Sequence, residues 1–353
     1  MAYEKVVQEL QMKIVEEPNG FTNSSRRSIA PEAALLLWVP SENFQGADVY
    51  NHFCLFYFVL DQPSTKKLQT PILPGPSPES LTWSSNWMVQ YAKPQGQFLD
   101  TPESITPESL ETFRDSPNYN MGDYLEPRGG WRSYNEFFAR NFKPGYIPVA
   151  VVSDQTIIVS PADSMFDGQW EIRSDSGVTI KTIHWKNSEL LEGSPFADRF
   201  TQGIFTHAFL NPAEYHHQHA PVGGKVVEAR VIPGQVYLET KTRLLGDGED
   251  GVMFFDAPDN AGYQFCQTRG LVVFETAIGL VAVLPMGMAQ VSSIVLTAEV
   301  GQTLRKKEEI SYFQFGGSDT VLVFEAKSNV SVTAQVGTHY KVGNRIAQAF
   351  PEL

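Results

Sequence analysis

The chain has 353 residues, of which 42% are hydrophobic and 19% charged, with a formal net charge of -13 at pH 7. This composition is typical of a globular protein that is long enough to bury a sizeable core in one or two domains. The acidic balance extends through both parts of the chain and excludes the basic stripe that nucleic-acid binding requires. Two cysteines, Cys54 and Cys266, do not make a disulfide framework, and we expect both to be buried small hydrophobes.

The amino-terminal residues carry charges throughout and lack the apolar core of a signal peptide. The longest apolar run, residues 53–60, is far shorter than the ~20 residues of a membrane-spanning helix. We therefore expect a cytoplasmic protein with no stable membrane anchor.

Residues 1–130 form the first predicted region, which is helical, rich in loops and interrupted by prolines over residues 63–80. Two helix starts are predicted near Ser77 and Thr106, because each hydroxyl precedes a proline and an acidic residue suited to the first turn. Ser133 and Glu136 form a capping box that begins a third helix at residues 137–142.

Residues 131–353 form the second predicted region, in which short β-rich runs are separated by glycine, proline and aspartate. The predicted strands lie at residues 156–159, 225–232, 271–276, 280–284, 291–297, 321–324 and 330–336. The chain is therefore predicted to be an α+β protein, with a helical N-terminal region followed by a β-dominated domain.

Three of the seven histidines, His216, His217 and His219, fall within four positions. A single helical turn that begins at Pro212 and ends before Pro221 would let His216 and His219 share one face. Two histidines at this spacing can chelate zinc, but a closed site needs further ligands, and neither cysteine has a ligating partner nearby in the sequence. Acid-base chemistry is therefore favoured, and no metal is predicted.

An aspartate, a histidine and a serine occur in the order Asp163, His219, Ser318. Such a set can supply an orienting carboxylate, a general base and an activated hydroxyl. Ser318 follows Gly316 and Gly317 in a run that otherwise has the composition of a buried strand. Glycines at such a point indicate a bulge, a bend or the close approach of another group.

These motifs resemble those of the phosphatidylserine decarboxylase family, and the resemblance covers roughly residues 125–353. It rests on Tyr215-His216, His219-Ala220-Pro221, Gly224-Lys225-Val226, the Pro161-Ala162-Asp163 turn, Phe315-Gly316-Gly317-Ser318, the segment 301–313 and the helix with Phe137-Phe138-Ala139-Arg140. The resemblance implies a β-dominated catalytic domain that cleaves itself between Gly317 and Ser318. It also implies that Ser318 is the precursor of a covalent pyruvoyl cofactor.

The resemblance assigns further roles to the candidate residues. Asp163 would hold His219 in the required tautomer, His219 would take the proton from Ser318, and Ser318 would attack the carbonyl of Gly317. The fragment 318–353 would then carry the pyruvoyl group and stay bound to the remainder of the chain. That group would form a Schiff base with a substrate amine and act as an electron sink, and His216 would return a proton to the substrate carbon.

The sequence departs from the family pattern at three places. Asp319 stands where the family usually has threonine or serine, and a carboxylate beside a developing oxyanion is unfavourable unless it is neutralised or turned away. His217 and Gln218 replace a basic and an aromatic residue, which indicates a changed pocket on the substrate side. The acid is not followed by glycine, so Asp167 is an alternative to Asp163, which is favoured because it keeps the Pro-Ala-Asp turn.

The predicted function is a self-processing, pyruvoyl-dependent decarboxylase, a carboxy-lyase that acts on a soluble amino acid. The net charge of -13 disfavours an anionic bilayer, and a likeness to the soluble branch, which includes a fungal tryptophan decarboxylase, suggests an aromatic substrate such as tryptophan. The alternative is a phosphatidylserine decarboxylase that makes phosphatidylethanolamine. Remoter alternatives are a Ser-His-Asp hydrolase, which lacks the strand-turn-helix elbow that this fold needs, and a binding module of barrel-sandwich type.

Overall fold

The computed structural model describes residues 37–173, 175–180, 183–245, 252–257, 262–287, 293–315 and 318–351. Its helices are α1 (Asp48–Leu60), α2 (Pro63–Lys66), α3 (Trp83–Leu99), α4 (Pro107–Asp115), α5 (Tyr134–Phe138) and α6 (Asn187–Leu190). Single 3-10 turns lie at Pro102–Ser104, Pro117–Tyr119, Met121–Asp123, Ala197–Phe200, Tyr263–Phe265 and Ala326–Ser328.

The strands are β1 (Ile157–Val159), β2 (Ser164–Ile172), β3 (Gly177–Ile180), β4 (Ile183–Lys186), β5 (Gly203–Leu210), β6 (His217–His219), β7 (Gly224–Ile232), β8 (Lys241–Leu245), β9 (Val252–Asp256), β10 (Arg269–Thr276), β11 (Gly279–Gly287), β12 (Ile294–Leu296), β13 (Thr303–Leu304), β14 (Glu309–Phe313), β15 (Ser318–Glu325), β16 (Val330–Val332), β17 (Thr338–Tyr340) and β18 (Arg345–Ala349). The predicted α+β class, helical first and β-dominated afterwards, is confirmed.

Side-chain caps set the starts of two predicted helices. The Thr106 hydroxyl accepts the backbone N–H of Ser109 at 3.1 Å, and the Ser109 hydroxyl accepts the N–H of Thr106 at 2.9 Å, so α4 begins as predicted. The Ser133 hydroxyl accepts the N–H of Glu136 at 3.2 Å and starts α5, which ends at Phe138, earlier than predicted.

The helix start predicted near Ser77 is wrong. Helix α3 begins at Trp83, and its N-cap is Thr82, whose hydroxyl accepts the N–H of Ser85. Thr82 supplies the same hydroxyl cap as Ser77 would. It also lies immediately before a longer stretch whose apolar residues can be buried.

An eight-stranded antiparallel sheet forms the centre of the molecule, with the strand order β13-β7-β10-β11-β15-β5-β2-β17. Strand β15 lies between β11 and β5, and at its first residue Ser318 pairs with Gly287 on one side and Leu210 on the other. The run after the two glycines is thus a central strand. The serine is the first residue of this strand, so it lies at the end of the sheet where β15 begins, between two neighbouring strands.

Two hydrophobic cores cover the two faces of this sheet. Side chains along a strand point alternately to opposite faces, so Val321 and Val323 contribute to one core and Leu322 and Phe324 to the other. This double burial explains why the central strands are apolar at nearly every position.

A third core joins the helical region to the β-dominated domain. It contains Phe53 of α1, Phe113 of α4 and Phe138 of α5 together with Phe313 and Phe315, which precede β15. The helical region therefore packs directly against the segment that leads to Ser318. Within the described part of the chain, no helix combines the length and the apolar character needed to cross a bilayer.

Candidate active site

The histidine cluster belongs to a strand. The Asn211 side chain accepts the N–H of Ala213 at 3.0 Å and begins a turn, as predicted, but residues 217–219 then pair with β14 as strand β6. His216 immediately precedes β6; its ring stacks on Phe138, whereas His219 contacts Tyr215, so the two rings face different neighbours. The prediction that they share one face is wrong, since long-range pairing with β14 imposes a period of two on this segment.

His216 is fully buried and stacks on Phe138 with ring centroids 3.9 Å apart. Its backbone carbonyl accepts the N–H of Phe313 at 2.9 Å, which places it beside the segment that leads to Ser318. Burial lowers the pKa of His216 well below its ordinary value, and the charge of Arg140 acts in the same direction. Neither ring nitrogen meets a hydrogen-bond partner of normal geometry among the described residues, and the Glu214 backbone is the polar group that acts to raise the pKa of this ring.

Gln218 shares the His216 side of the strand and reaches the cleavage region. Its Nε2 lies 3.5 Å from the backbone carbonyl oxygen of Asp319, and its Oε1 accepts the hydroxyl of Ser311 at 3.4 Å. The sequence identified Gln218 only as a departure from the family pattern. The structure makes it the side chain of β6 that contacts the backbone next to Ser318.

His219 is held in one tautomer by its neighbours. Its Nδ1 lies 2.6 Å from the backbone oxygen of Lys307, and its Nε2 lies 3.0 Å from the hydroxyl of Tyr215. A carbonyl can only accept, so Nδ1 carries the proton and Nε2 accepts from Tyr215. Burial lowers the pKa of His219 to about 4, which keeps the ring neutral with its basic lone pair on Nε2.

Asp163 is buried beside this strand. Its Oδ1 accepts the N–H of Val342 at 2.7 Å, and burial raises its pKa, although that hydrogen bond acts in the opposite direction. The neighbouring Pro161 carbonyl accepts the backbone N–H of His219 at 2.8 Å. Among the described residues no hydrogen bond joins the Asp163 carboxylate to His219, whose Nδ1 is bonded to Lys307 instead. The orienting role of Asp163 stays a prediction.

Asp319 is fully buried, and its side-chain contacts are made through Oδ2, because Oδ1 has no hydrogen-bond partner among the described residues. Its Oδ2 accepts the hydroxyl of Tyr263 at 3.1 Å and the amide of Gln264 at 3.2 Å, and it lies 3.0 Å from Nε2 of His207. The other ring nitrogen of His207 lies 3.1 Å from Oδ2 of Asp167. The side chains beside this carboxylate therefore include His207, a histidine that the sequence did not single out.

Asp167, the alternative acid, pairs with His207 and not with His219. His207 escaped notice because it stands alone in β5, with no other histidine or acid near it in the sequence. Gly317 lies outside the described residues, and of Ser318 only the backbone in β15 is described. The roles predicted for these two residues therefore stay predictions.

Comparison with known proteins gives the site a context. The family model for phosphatidylserine decarboxylase matches residues 134–348, a range that includes every predicted site residue. The chain is similar to phosphatidylserine decarboxylase proenzyme 3 of Schizosaccharomyces pombe, with 29% identity over 265 residues, which are 72% of this chain and 26% of that protein. The phosphatidylserine decarboxylase proenzyme of Fusobacterium nucleatum is 28% identical over 261 residues, 71% of this chain and 79% of that protein.

A further similarity, to the L-tryptophan decarboxylase of Psilocybe cubensis, has 27% identity over 218 residues, which are 57% of this chain and 48% of that protein. The chain thus spans about a quarter of the length of the yeast relative and about four fifths of the bacterial one.

Proposed function

We propose, because this chain belongs to the phosphatidylserine decarboxylase family of pyruvoyl-dependent carboxy-lyases, that it decarboxylates phosphatidylserine to phosphatidylethanolamine. The observation that carries the proposal is the extent of the family match, which runs from α5 to β18 and takes in the histidine strand and the serine at the start of β15.

The prediction of a soluble amino acid substrate is wrong. The relatives matched with higher identity and over a larger share of this chain are named phosphatidylserine decarboxylase proenzymes, whereas the tryptophan decarboxylase match is shorter and covers less of the chain. Net charge misled the prediction because it averages the whole surface. A local docking surface, which decides how a lipid is presented, does not appear in such an average.

We propose further that the chain matures by cleavage between Gly317 and Ser318, with Ser318 as the source of the pyruvoyl group. One described side chain near position 318 can contact such a group, because the Gln218 Nε2 lies 3.5 Å from the backbone carbonyl of the adjacent Asp319. A pyruvoyl group supplies an electrophilic carbonyl that serves as an electron sink in decarboxylation.

We assign the proton transfers of maturation and turnover to His219 and His216. His219 keeps its proton on Nδ1, against the Lys307 carbonyl, so its Nε2 carries the basic lone pair; that lone pair accepts the Tyr215 hydroxyl here, and Nε2 would act as a general base once Tyr215 releases it. His216 is neutral and fully buried, which suits a group that holds a proton at one ring nitrogen and accepts a hydrogen bond at the other. The Gln218 side chain, which reaches the Asp319 backbone, lies on the His216 side of this segment, whereas His219 contacts Tyr215 and Lys307.

The fold also supports continued association of the two fragments. The fragment 318–353 contributes β15 to the centre of the eight-stranded sheet, between β11 and β5. It also supplies β17, which pairs with β2, and β18, which pairs with β1. Separating the fragments would require breaking the strand pairing in two sheets and exposing the cores on the two faces of the eight-stranded sheet.

Intact-mass spectrometry under denaturing conditions, followed by an assay on phosphatidylserine vesicles, tests the proposal. We expect two chains that separate between Gly317 and Ser318, a carbonyl on the shorter one that reacts with hydroxylamine, and release of CO2 from the lipid. A Ser318→Ala chain should stay whole and inactive. A whole wild-type chain, or a cleaved one that decarboxylates free amino acids but no phosphatidylserine, would overturn it.

A further inference from the structure

Asp319, the residue after the cleavage serine, lies at one end of a row of three ionisable side chains that contact one another. Asp319 is fully buried, the His207 side chain is fully buried, and the side chain of Asp167 is 36% exposed. His207 lies between the two carboxylates, 3.0 Å from Asp319 and 3.1 Å from Asp167. This row of side chains therefore extends from the interior of the sheet, beside Ser318, to the solvent.

Each ring nitrogen of His207 faces a carboxylate oxygen. Ionised carboxylates only accept, so a protonated His207 would donate to both acids, whereas a neutral ring has one N–H and could donate to one. The Gln264 amide nitrogen lies 3.1 Å from Nε2 of His207 and 3.2 Å from Oδ2 of Asp319, so it takes part in the same contact. A protonated His207 would offset one of the two carboxylate charges.

The same contacts fix the backbone at the start of β15. In the β5–β15 ladder Asp319 pairs with Phe209 and Val321 pairs with His207, so Asp319 and His207 are diagonal neighbours on one face of the sheet. The donors Tyr263 and Gln264 come from the 3-10 turn before β10. Three side chains from two separate elements thus converge on one oxygen of the residue that follows Ser318.

We propose that His207 and Asp319, together with Tyr263, are positioning residues for self-cleavage. They hold the backbone at residues 318–319 in one arrangement, and His207 keeps the Asp319 carboxylate from repelling the oxyanion that develops on Gly317. This inference rests on the proposed self-cleavage. It assigns a function to a departure from the family pattern that would otherwise hinder the reaction.

The test follows cleavage of the full-length chain during cell-free synthesis, with denaturing intact-mass measurements at successive times. The variants are His207→Gln, Asp319→Asn, the double variant and Tyr263→Phe. His184→Gln is the matched control, because His184 forms a surface pair with Asp175 at 2.9 Å away from this site. Thermal unfolding of each variant in the uncleavable Ser318→Ala background checks the fold.

We expect His207→Gln to slow cleavage by about tenfold or more, because it leaves Asp319 buried without its ionic partner. Asp319→Asn removes the carboxylate charge that His207→Gln leaves without a partner, so the double variant should recover to within about threefold of the wild-type rate. Such a non-additive result would not come from a loss of packing alone. Tyr263→Phe, which keeps the ring and loses one donor, should slow cleavage about threefold. His184→Gln should cleave at the wild-type rate.

The outcomes separate this inference from the proposed function. A wild-type chain that stays whole overturns both. A wild-type chain that cleaves while His207→Gln and Tyr263→Phe cleave equally fast overturns the positioning role alone. A double variant that is slower than His207→Gln overturns the charge argument. If His207→Gln fails to fold, Tyr263→Phe decides, because its ring still fills the same space.

Discussion

Asn135 links the helical region to the segment that precedes the cleavage serine. It is buried in α5, and its Oδ1 accepts the backbone N–H of Phe315 at 3.0 Å. Its Nδ2 donates to the carboxylate of Asp100 at 2.9 Å and to the carbonyl of Gly96 at 3.2 Å, at the end of α3. Replacing Asn135 with alanine removes all three hydrogen bonds at once.

The expected cost follows from these contacts. Each hydrogen bond contributes about 1 kcal/mol net, so the free energy of unfolding should fall by about 3 kcal/mol. The loss leaves the Phe315 N–H buried without its acceptor, close to the scissile bond. If ~1.4 kcal/mol of the loss also appears in the barrier to cleavage, the Asn135→Ala chain should mature about tenfold more slowly.

Urea unfolding measures the free energy of unfolding, and it is done in the Ser318→Ala background so that the chains being compared are equally uncleaved. The time course of intact mass measures the rate of cleavage in chains that keep Ser318. Asn187→Ala is the control, because Asn187 is also buried but donates a single hydrogen bond, to the carbonyl of Phe200 at 2.9 Å. Equal losses of stability in the two variants, or unchanged cleavage in Asn135→Ala, would refute the reasoning.

Three further predictions concern stability and assembly. Because burial lowers the pKa of His219 to about 4, the unfolded chain takes up a proton first as pH falls below the ordinary value of 6.5. Stability should thus fall by ~2 kcal/mol between pH 8 and pH 5 on account of this residue, and urea unfolding of His219→Gln should show a smaller decrease. Phe315→Ala should cost about 3–5 kcal/mol in the same assay, since the ring is fully buried and stacks on Phe53 at 4.7 Å; a cost below 1 kcal/mol would contradict the packing. Native mass spectrometry of the cleaved protein should show the fragment 318–353 bound to the remainder, and free fragments under native conditions would contradict the interlocked sheet.

The parts of the fold that sequence could predict are those set by local chemistry. The Thr106 cap and the apolar runs that became β7, β10, β11 and β15 depend on residues a few positions apart, so their patterns are visible in the chain. Strand ends shifted by a few residues because pairing with neighbours, and not composition, decides where a ladder stops.

The candidate site was harder to predict because its contacts join distant strands. The turn after Asn211 was predicted correctly. The residues that follow it form β6 by pairing with β14, so His216 and His219 do not share one face as predicted. His207 was missed because its partners come from β2 and β15. No spacing in the sequence records a contact that depends on how strands are ordered in a sheet.

The segment around the predicted scissile bond is thus held from both sides by residues distant in sequence. Before it, Asn135 and the aromatic core fix Phe315; after it, His207 and Tyr263 fix Asp319. Only three positions, 316–318, separate these two points. Glycine loses more conformational freedom on ordering than any other residue, so a Gly-Gly-Ser segment is costly to hold in a reactive arrangement unless its ends are already fixed. The two sets of contacts provide that condition, which is why changes at Asn135 and at His207 are both expected to slow maturation although neither residue supplies a reacting atom.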